Sequence, residues 1–210
     1  YPLQVAQRQP AVRADQPLDP APNRQRGRPQ GSKNHSKPAP QLTPDLSLLQ
    51  RMITALTARI APLTVRHIVL DGHFGTYPAT YAVRETGLHI ISKFRQDAAL
   101  YLPYTGSKPP RGPLPRYGQK LNYNQLPPET LCHSIHENDY QVDTYQMPVF
   151  HPSFSQALKV VIVVKTHLKT GKRGHVVLFS TDLDLSADQI VDYYALRFQI
   201  EFNFRDAKQY

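Results

Sequence analysis

Residues 66–94 read RHIVLDGHFGTYPATYAVRETGLHIISKF. The opening RHIVLD is a short apolar run that ends on a carboxylate and then Gly72, which reads as a buried strand with Asp71 at its carboxyl end. Pro78 to Glu85 reads as a helix stopped by Gly87, and Leu88 to Phe94 as a second strand. Strand, helix and strand within about thirty residues imply parallel strands joined by a right-handed crossover, and therefore an α/β fold. Sites in such folds gather at the carboxyl ends of strands, where Asp71 stands. Aspartate before glycine is also ordinary turn chemistry, so Asp71 taken alone carries both readings.

The last stretch, residues 186–210, reads SADQIVDYYALRFQIEFNFRDAKQY. Ser186 with Gln189 forms a capping box, and Asp188 suits the positive end of a helix dipole. Tyr194, Arg197, Glu201 and Lys208 are spaced three, four and seven apart, so on one continuous helix they project within about 60° of one another. The neighbouring stripe of Tyr193, Leu196, Ile200, Phe204 and Ala207 is mostly apolar and is expected to pack on a core. Two cations and a phenol around one carboxylate suit phosphodiester processing. Tyr194, Arg197 and Lys208 can hold phosphates while Glu201 holds a metal ion. The same spacing also fits a solvated face with an ordinary Arg197–Glu201 intrahelical pair.

The pattern Tyr, two residues, Arg, three residues, Glu, six residues, Lys resembles the C-terminal motif of bacterial insertion-sequence transposases of the DDE type, and residues 194–208 fill it without a gap. VLDGHFG at 69–75 resembles the segment that carries the second catalytic aspartate of that family. The resemblance extends over the whole chain and is weakest in its Pro-rich part. It implies an α/β, ribonuclease-H-like mixed sheet flanked by helices and interrupted by a mainly β insertion. It also implies two Asp and one Glu around Mg2+ or Mn2+, with Asp71 and Glu201 as catalytic residues and metal ligands and with Tyr194, Arg197 and Lys208 on DNA. The implied activity is cleavage of transposon ends and strand transfer into target DNA. The implied partners are double-stranded DNA and, on it, further copies of the full-length protein, in the bacterial cytoplasm at the nucleoid. The first catalytic Asp of the family falls before Tyr1, and Asp15 and Asp19 are poor substitutes. With no initiator Met, the chain reads as a fragment expected to be inactive alone. Some relatives stack a Trp on a flipped base; this chain has no Trp, and Tyr or Phe could serve.

Composition agrees with a polyanionic partner. Lys plus Arg number 25 against 16 Asp plus Glu, a net charge of +9, which points first to nucleic acid. No run approaches the roughly eighteen apolar residues of a membrane span, so no membrane association is expected. Cys132 is the sole cysteine, which excludes an internal disulfide and a cysteine-based metal knuckle. There is no Gly-rich phosphate loop and no His-Glu-x-x-His, so NTP hydrolysis and zinc hydrolysis lack support. His73, beside Asp71, could touch phosphate or be a loop residue.

The chain divides by composition. Residues 1–7 read as the end of a truncated strand, and 8–43 as a Pro-rich basic linker. Within it Arg26-Gly27-Arg28-Pro29 resembles an AT-hook, in which Arg26 and Arg28 would enter an A·T minor groove; a plain basic linker has the same composition. Residues 44–95 form the first part of the catalytic domain. They open with Thr43-Pro44-Asp45, a helix start followed by Leu46, Leu49, Ile53, Leu56 and Ile60 on one face. Residues 96–184 read as the mainly β insertion and 185–210 as the helix with the Glu motif. Within the insertion, residues 158–168 and 174–183 flank Lys169-Thr170-Gly171-Lys172-Arg173, a hairpin whose basic tip suits either a DNA backbone or a soluble sheet edge. Two other readings remain: a non-catalytic DNA-binding module, or an inactive remnant of a transposase gene.

Overall fold

The computed structural model describes residues 39–61 and 63–208. The strand end expected at 1–7 and the arm with Arg26 and Arg28 lie outside the described residues. The elements run helix α1 (Pro44–Arg59), strand β1 (His67–Val69), helix α2 (Tyr77–Arg84), strands β2 (His89–Phe94), β3 (Tyr101–Pro103), β4 (Tyr117–Lys120), β5 (Leu131–Glu137), β6 (Tyr140–Val149), β7 (Leu158–His167) and β8 (Arg173–Ser180), then helices α3 (Ala187–Ala195) and α4 (Phe198–Ala207). Six strands form one sheet in the order β1-β2-β8-β7-β6-β5. β1 and β2 are parallel, in register His67 to His89, and each further neighbour is antiparallel. The sheet is therefore mixed, and helices cover both of its faces. β3 and β4 make a separate two-stranded ribbon, tied to the end of β6 by a Tyr101–Phe150 bridge.

The period of two along each strand divides the interior into two cores. Ile90 and Phe94 of β2, Val160, Ile162 and Val164 of β7, and Val177 and Phe179 of β8 face α1 and α2, meeting Ile53 and Val83. Ile91, Val161 and Leu178, from alternate positions on the same strands, face α3 and meet Ile190 and Tyr194. Being covered on both sides is why LKVVIVVKTH of β7 is apolar almost without interruption. Local signals set the helix starts. Thr43 accepts the Leu46 N–H in front of Pro44, and Ser186 and Gln189 close the expected capping box. Gly87, at φ +85°, ends the turn after α2 in a backbone conformation that glycine adopts without steric cost.

The C-terminal segment departs from the single continuous helix expected. α3 and α4 meet at Leu196 and Arg197, both still right-handed helical. The ladder tightens there, with the Arg197 N–H donating to Tyr194 O, Gln199 to Leu196 O and Ile200 to Arg197 O. The stripe expected to pack is also not buried throughout. Leu196 and Ile200 are about half-exposed, as are Phe198 and Phe202. The reason is positional: α3 lies along the sheet and anchors through Ile190 and Tyr194, whereas no described side chain of α4 is buried.

Candidate active site

β1 ends one residue before Leu70, whose N–H still donates to Ile91 O of β2. Asp71 follows at the end of that parallel pair and begins a 3-10 turn, Gly72–Phe74. Its backbone carbonyl accepts from Ser92 Oγ at 2.9 Å and from the Phe74 N–H at 2.9 Å. The main chain is thereby tied on both sides while the carboxylate stays 55% exposed. The turn presses on β2 closely enough that a Cβ on Gly72 would come within 3.2 Å of Lys93 Cε. Lys93 thus lays its exposed side chain beside the residue that follows Asp71. Sequence reading passed over this lysine; its trace is a single cation inside the buried strand HIISKF.

Glu201 sits in the first turn of α4, 63% exposed, and Arg197 joins it to Asp71. Arg197 Nη1 lies 3.1 Å from Glu201 Oε1, and Arg197 Nε lies 3.6 Å from Asp71 Oδ1. The second contact is an ion pair too long for a hydrogen bond, so the buried Nε–H has no acceptor. The guanidinium also lies over the Phe198 ring at 4.4 Å and near the Tyr194 ring at 5.8 Å. Burial pulls the Arg197 pKa down, but Tyr194, Glu201 and Asp71 outweigh it and raise it, so the group stays a cation. Burial also pushes the Tyr194 phenol up against the opposing effect of Arg197.

The residues singled out in the sequence are thus distributed unevenly. Asp71, Arg197 and Glu201 are brought together. Tyr194 is beside Arg197, but its ring belongs to the core under α3 and is 8% exposed. Lys208 caps the far end of α4, exposed, with no ion pair to the others among the described residues. His73 stacks edge-on against Phe74. The cations of the β7–β8 hairpin are largely engaged within the protein. Lys169 pairs with Asp139 at 3.0 Å, Lys165 lies over the Tyr140 ring, and Arg173 donates to Asn124 O.

The opposite end of the β1–β2 pair holds a second polar group that the sequence did not disclose. His67 Nε2 meets Asp182 Oδ2 at 2.8 Å, both side chains 18% exposed. His89 Nδ1 is 3.3 Å from Thr181 Oγ1. Burial and then Arg84 push the His89 pKa down. Burial alone would raise the Asp182 carboxyl, but the Asp184 N–H together with His67 and His89 brings it below its ordinary value.

Carboxylate oxygens are the ligands that hard divalent cations take, and Asp71 and Glu201 already share one positive group. Their chemistry therefore fits such an ion. Among the described residues no third His, Cys, Asp or Glu joins them in a cluster able to hold a metal. A mixed six-stranded sheet flanked by helices, with an aspartate after its first parallel strand and a glutamate on a C-terminal helix, has the ribonuclease-H-like arrangement. A family model described as DDE superfamily endonuclease matches residues 1–148, well over half of the chain. The chain belongs to that superfamily, whose endonucleases act on DNA with divalent metal ions. The matched span includes Asp71 and Lys93 and stops before Tyr194, Arg197, Glu201 and Lys208. No curated protein and no solved structure matches the chain. Among the described residues no helix is long and apolar enough to cross a membrane.

Proposed function

We propose that this chain belongs to a DNA transposase of the bacterial insertion-sequence type, which cleaves transposon ends and joins them to target DNA. The observation that supports this most directly is the contact of Asp71 and Glu201, far apart in sequence, with one guanidinium. In this reading the two carboxylates hold Mg2+ or Mn2+. When bound, the metal supplies activation of a water or a 3′-hydroxyl and stabilises the departing oxygen of the phosphodiester. Ser92 and the 3-10 turn hold Asp71 in place from the main chain. Arg197, Lys208 and Lys93 hold phosphates, Arg by a directed fork and Lys by a mobile charge. Tyr194 backs Arg197 from the core side, its ring near the guanidinium, and belongs with it to the DNA-contacting set. Arg26 and Arg28 enter an A·T minor groove. Assembly as a homo-oligomer on the transposon ends, at the nucleoid, belongs to the same reading.

The test is a nicking assay with Mn2+ on DNA carrying the element's ends, using this chain and a version extended upstream in its reading frame. Asp71→Asn and Glu201→Gln should each lower metal-dependent nicking by about 100-fold or more, the scale on which loss of a charge-stabilising group acts. Nicking that survives both substitutions would overturn the assignment. A non-catalytic DNA-binding module is the second reading, favoured by the lack of a third metal-capable group among the described residues. It predicts DNA binding without nicking in either version.

A further inference from the structure

Among the described side chains, Arg197 is what joins Glu201 to Asp71. No described side chain of α4 is buried, and Phe198, Ile200 and Phe202 are about half-exposed. α3, in contrast, is fixed in the core by Ile190 and Tyr194. Arg197 stands between the two helices, its side chain only 19% exposed, and reaches Asp71 Oδ1 on one side and Glu201 Oε1 on the other. It therefore transmits the fixed position of α3 to a carboxylate on a helix that has no buried side chain among those described. Two carboxylates that flank one guanidinium repel each other, and the positive charge they share offsets that repulsion. A divalent ion would seek the same place for the same reason.

Resting on the reading that Asp71 and Glu201 bind metal, we propose that Arg197 is the resident counter-cation of this pair. It is a positioning residue that keeps the two carboxylates together in the metal-free protein and must give them up when a divalent ion arrives. The contact is built to be exchanged. The fork makes one hydrogen bond, to Glu201, and one longer ion pair, to Asp71, while the buried Nε–H has no acceptor. A buried donor without an acceptor gains when a new acceptor is offered. A DNA phosphate supplies two oxygens in the geometry a guanidinium prefers. Metal loading would then hand Arg197 from carboxylate to phosphate. By linkage, a bound phosphate would also ease metal entry by the same factor. The protein could thus prearrange its acids without leaving them unneutralised.

The experiment measures Mn2+ binding by the free-ion EPR signal, on the 210-residue chain and its variants. Arg197→Gln should bind Mn2+ about three- to tenfold more tightly than the unchanged chain, since it removes a competing charge from partly exposed pairs. Arg197→Lys, which keeps the charge and loses the fork, should fall between. Asp71→Asn and Glu201→Gln should both weaken binding. If those two weaken it while Arg197→Gln binds no more tightly than the unchanged chain, the counter-cation role is overturned and the metal reading stands. If neither carboxylate variant alters Mn2+ binding, the metal reading falls and the proposal falls with it. Should Arg197→Gln lose its fold by circular dichroism, the Arg197 Nε–H resonance of the unchanged chain decides. It should move on titration with Mg2+, and a signal that stays put to saturation overturns the proposal.

Discussion

A methyl group on Gly75 would stand 2.3 Å from the carbonyl oxygen of Lys93, far inside van der Waals contact, although its φ of −70° is one that any residue adopts. Close approach of two backbones, and not an unusual dihedral, is what restricts this position to glycine. The approach matters because it seats the 3-10 turn that follows Asp71 against β2. Gly75→Ala should cost about 1–3 kcal/mol, the usual range for overpacking, read as a lower urea midpoint at unchanged slope. Gly72→Ala should cost less, because its methyl would meet the movable Cε of Lys93 at 3.2 Å. Equal effects of the two substitutions would contradict this account. Arg197 shows the same dependence on local placement. Its two carboxylate partners are both more than half exposed, so its value lies in where it puts them and not in the strength of either pair.

Helices α3 and α4 follow each other in sequence and differ in what holds them. α3 has a full capping box at Ser186 and Gln189 and packs Ile190 and Tyr194 against Ile91, Val161 and Leu178. α4 follows Arg197, which gives it no side-chain cap, and presents exposed aromatic rings. Ser186→Ala should therefore destabilise the chain by about 1 kcal/mol, as removal of a helix cap does, measured by thermal or chemical melting. Hydrogen exchange should show α4 opening well before α3 in both proteins. Comparable protection of the two helices would show that α4 has a stabilising contact beyond Arg197. At the far edge of the sheet, β5 pairs only with β6 among the described residues, and its largest apolar side chains, Leu131 and Ile135, are exposed. His133, His136 and Glu137 interrupt that edge with polar groups, a device that discourages pairing between sheets.

For the molecule as a whole, the resolved protonation shifts of its histidines and of Asp182 act in one direction. His89 is pushed down by burial and then by Arg84, and His151 is pushed down by burial. A histidine depressed in the folded state is protonated first in the unfolded chain, so acidification below about pH 6.5 favours unfolding. Asp182 is also depressed, burial being outweighed by the Asp184 N–H, His67 and His89. Its contribution is present above the ordinary carboxylate pKa of about 4 and is lost as pH falls through the lower folded value. Stability should accordingly decline in two stages, first between about pH 7 and 5 and again below about pH 4. Guanidinium midpoints across that range check the sequence of losses. His89→Asn should flatten the upper stage, and a midpoint that rises on mild acidification would contradict the assignment.

The α/β class, the parallel strand pair around α2, the helix starts at Thr43 and Ser186, and the β7–β8 hairpin were legible from the chain alone, because each rests on periodicity or capping within a few neighbouring residues. Asp71 could be located at the end of a strand for the same reason, and Glu201 through the resemblance of its motif. Other features were not local. The break between α3 and α4, with the exposure of Leu196 and Ile200, goes with α3 packing on the sheet through Ile190 and Tyr194 while no described side chain of α4 is buried. Burial of Tyr194 follows from the strands that α3 covers. Lys93, His67 and Asp182 acquire their neighbours through strand register and chain reversal. The Arg197–Glu201 pair was open to sequence because four residues separate its members on a helix. Its extension to Asp71 was decided only by the tertiary structure, which sets the end of β1 against the α3–α4 junction and turns an ordinary helical ion pair into a link between two distant acids.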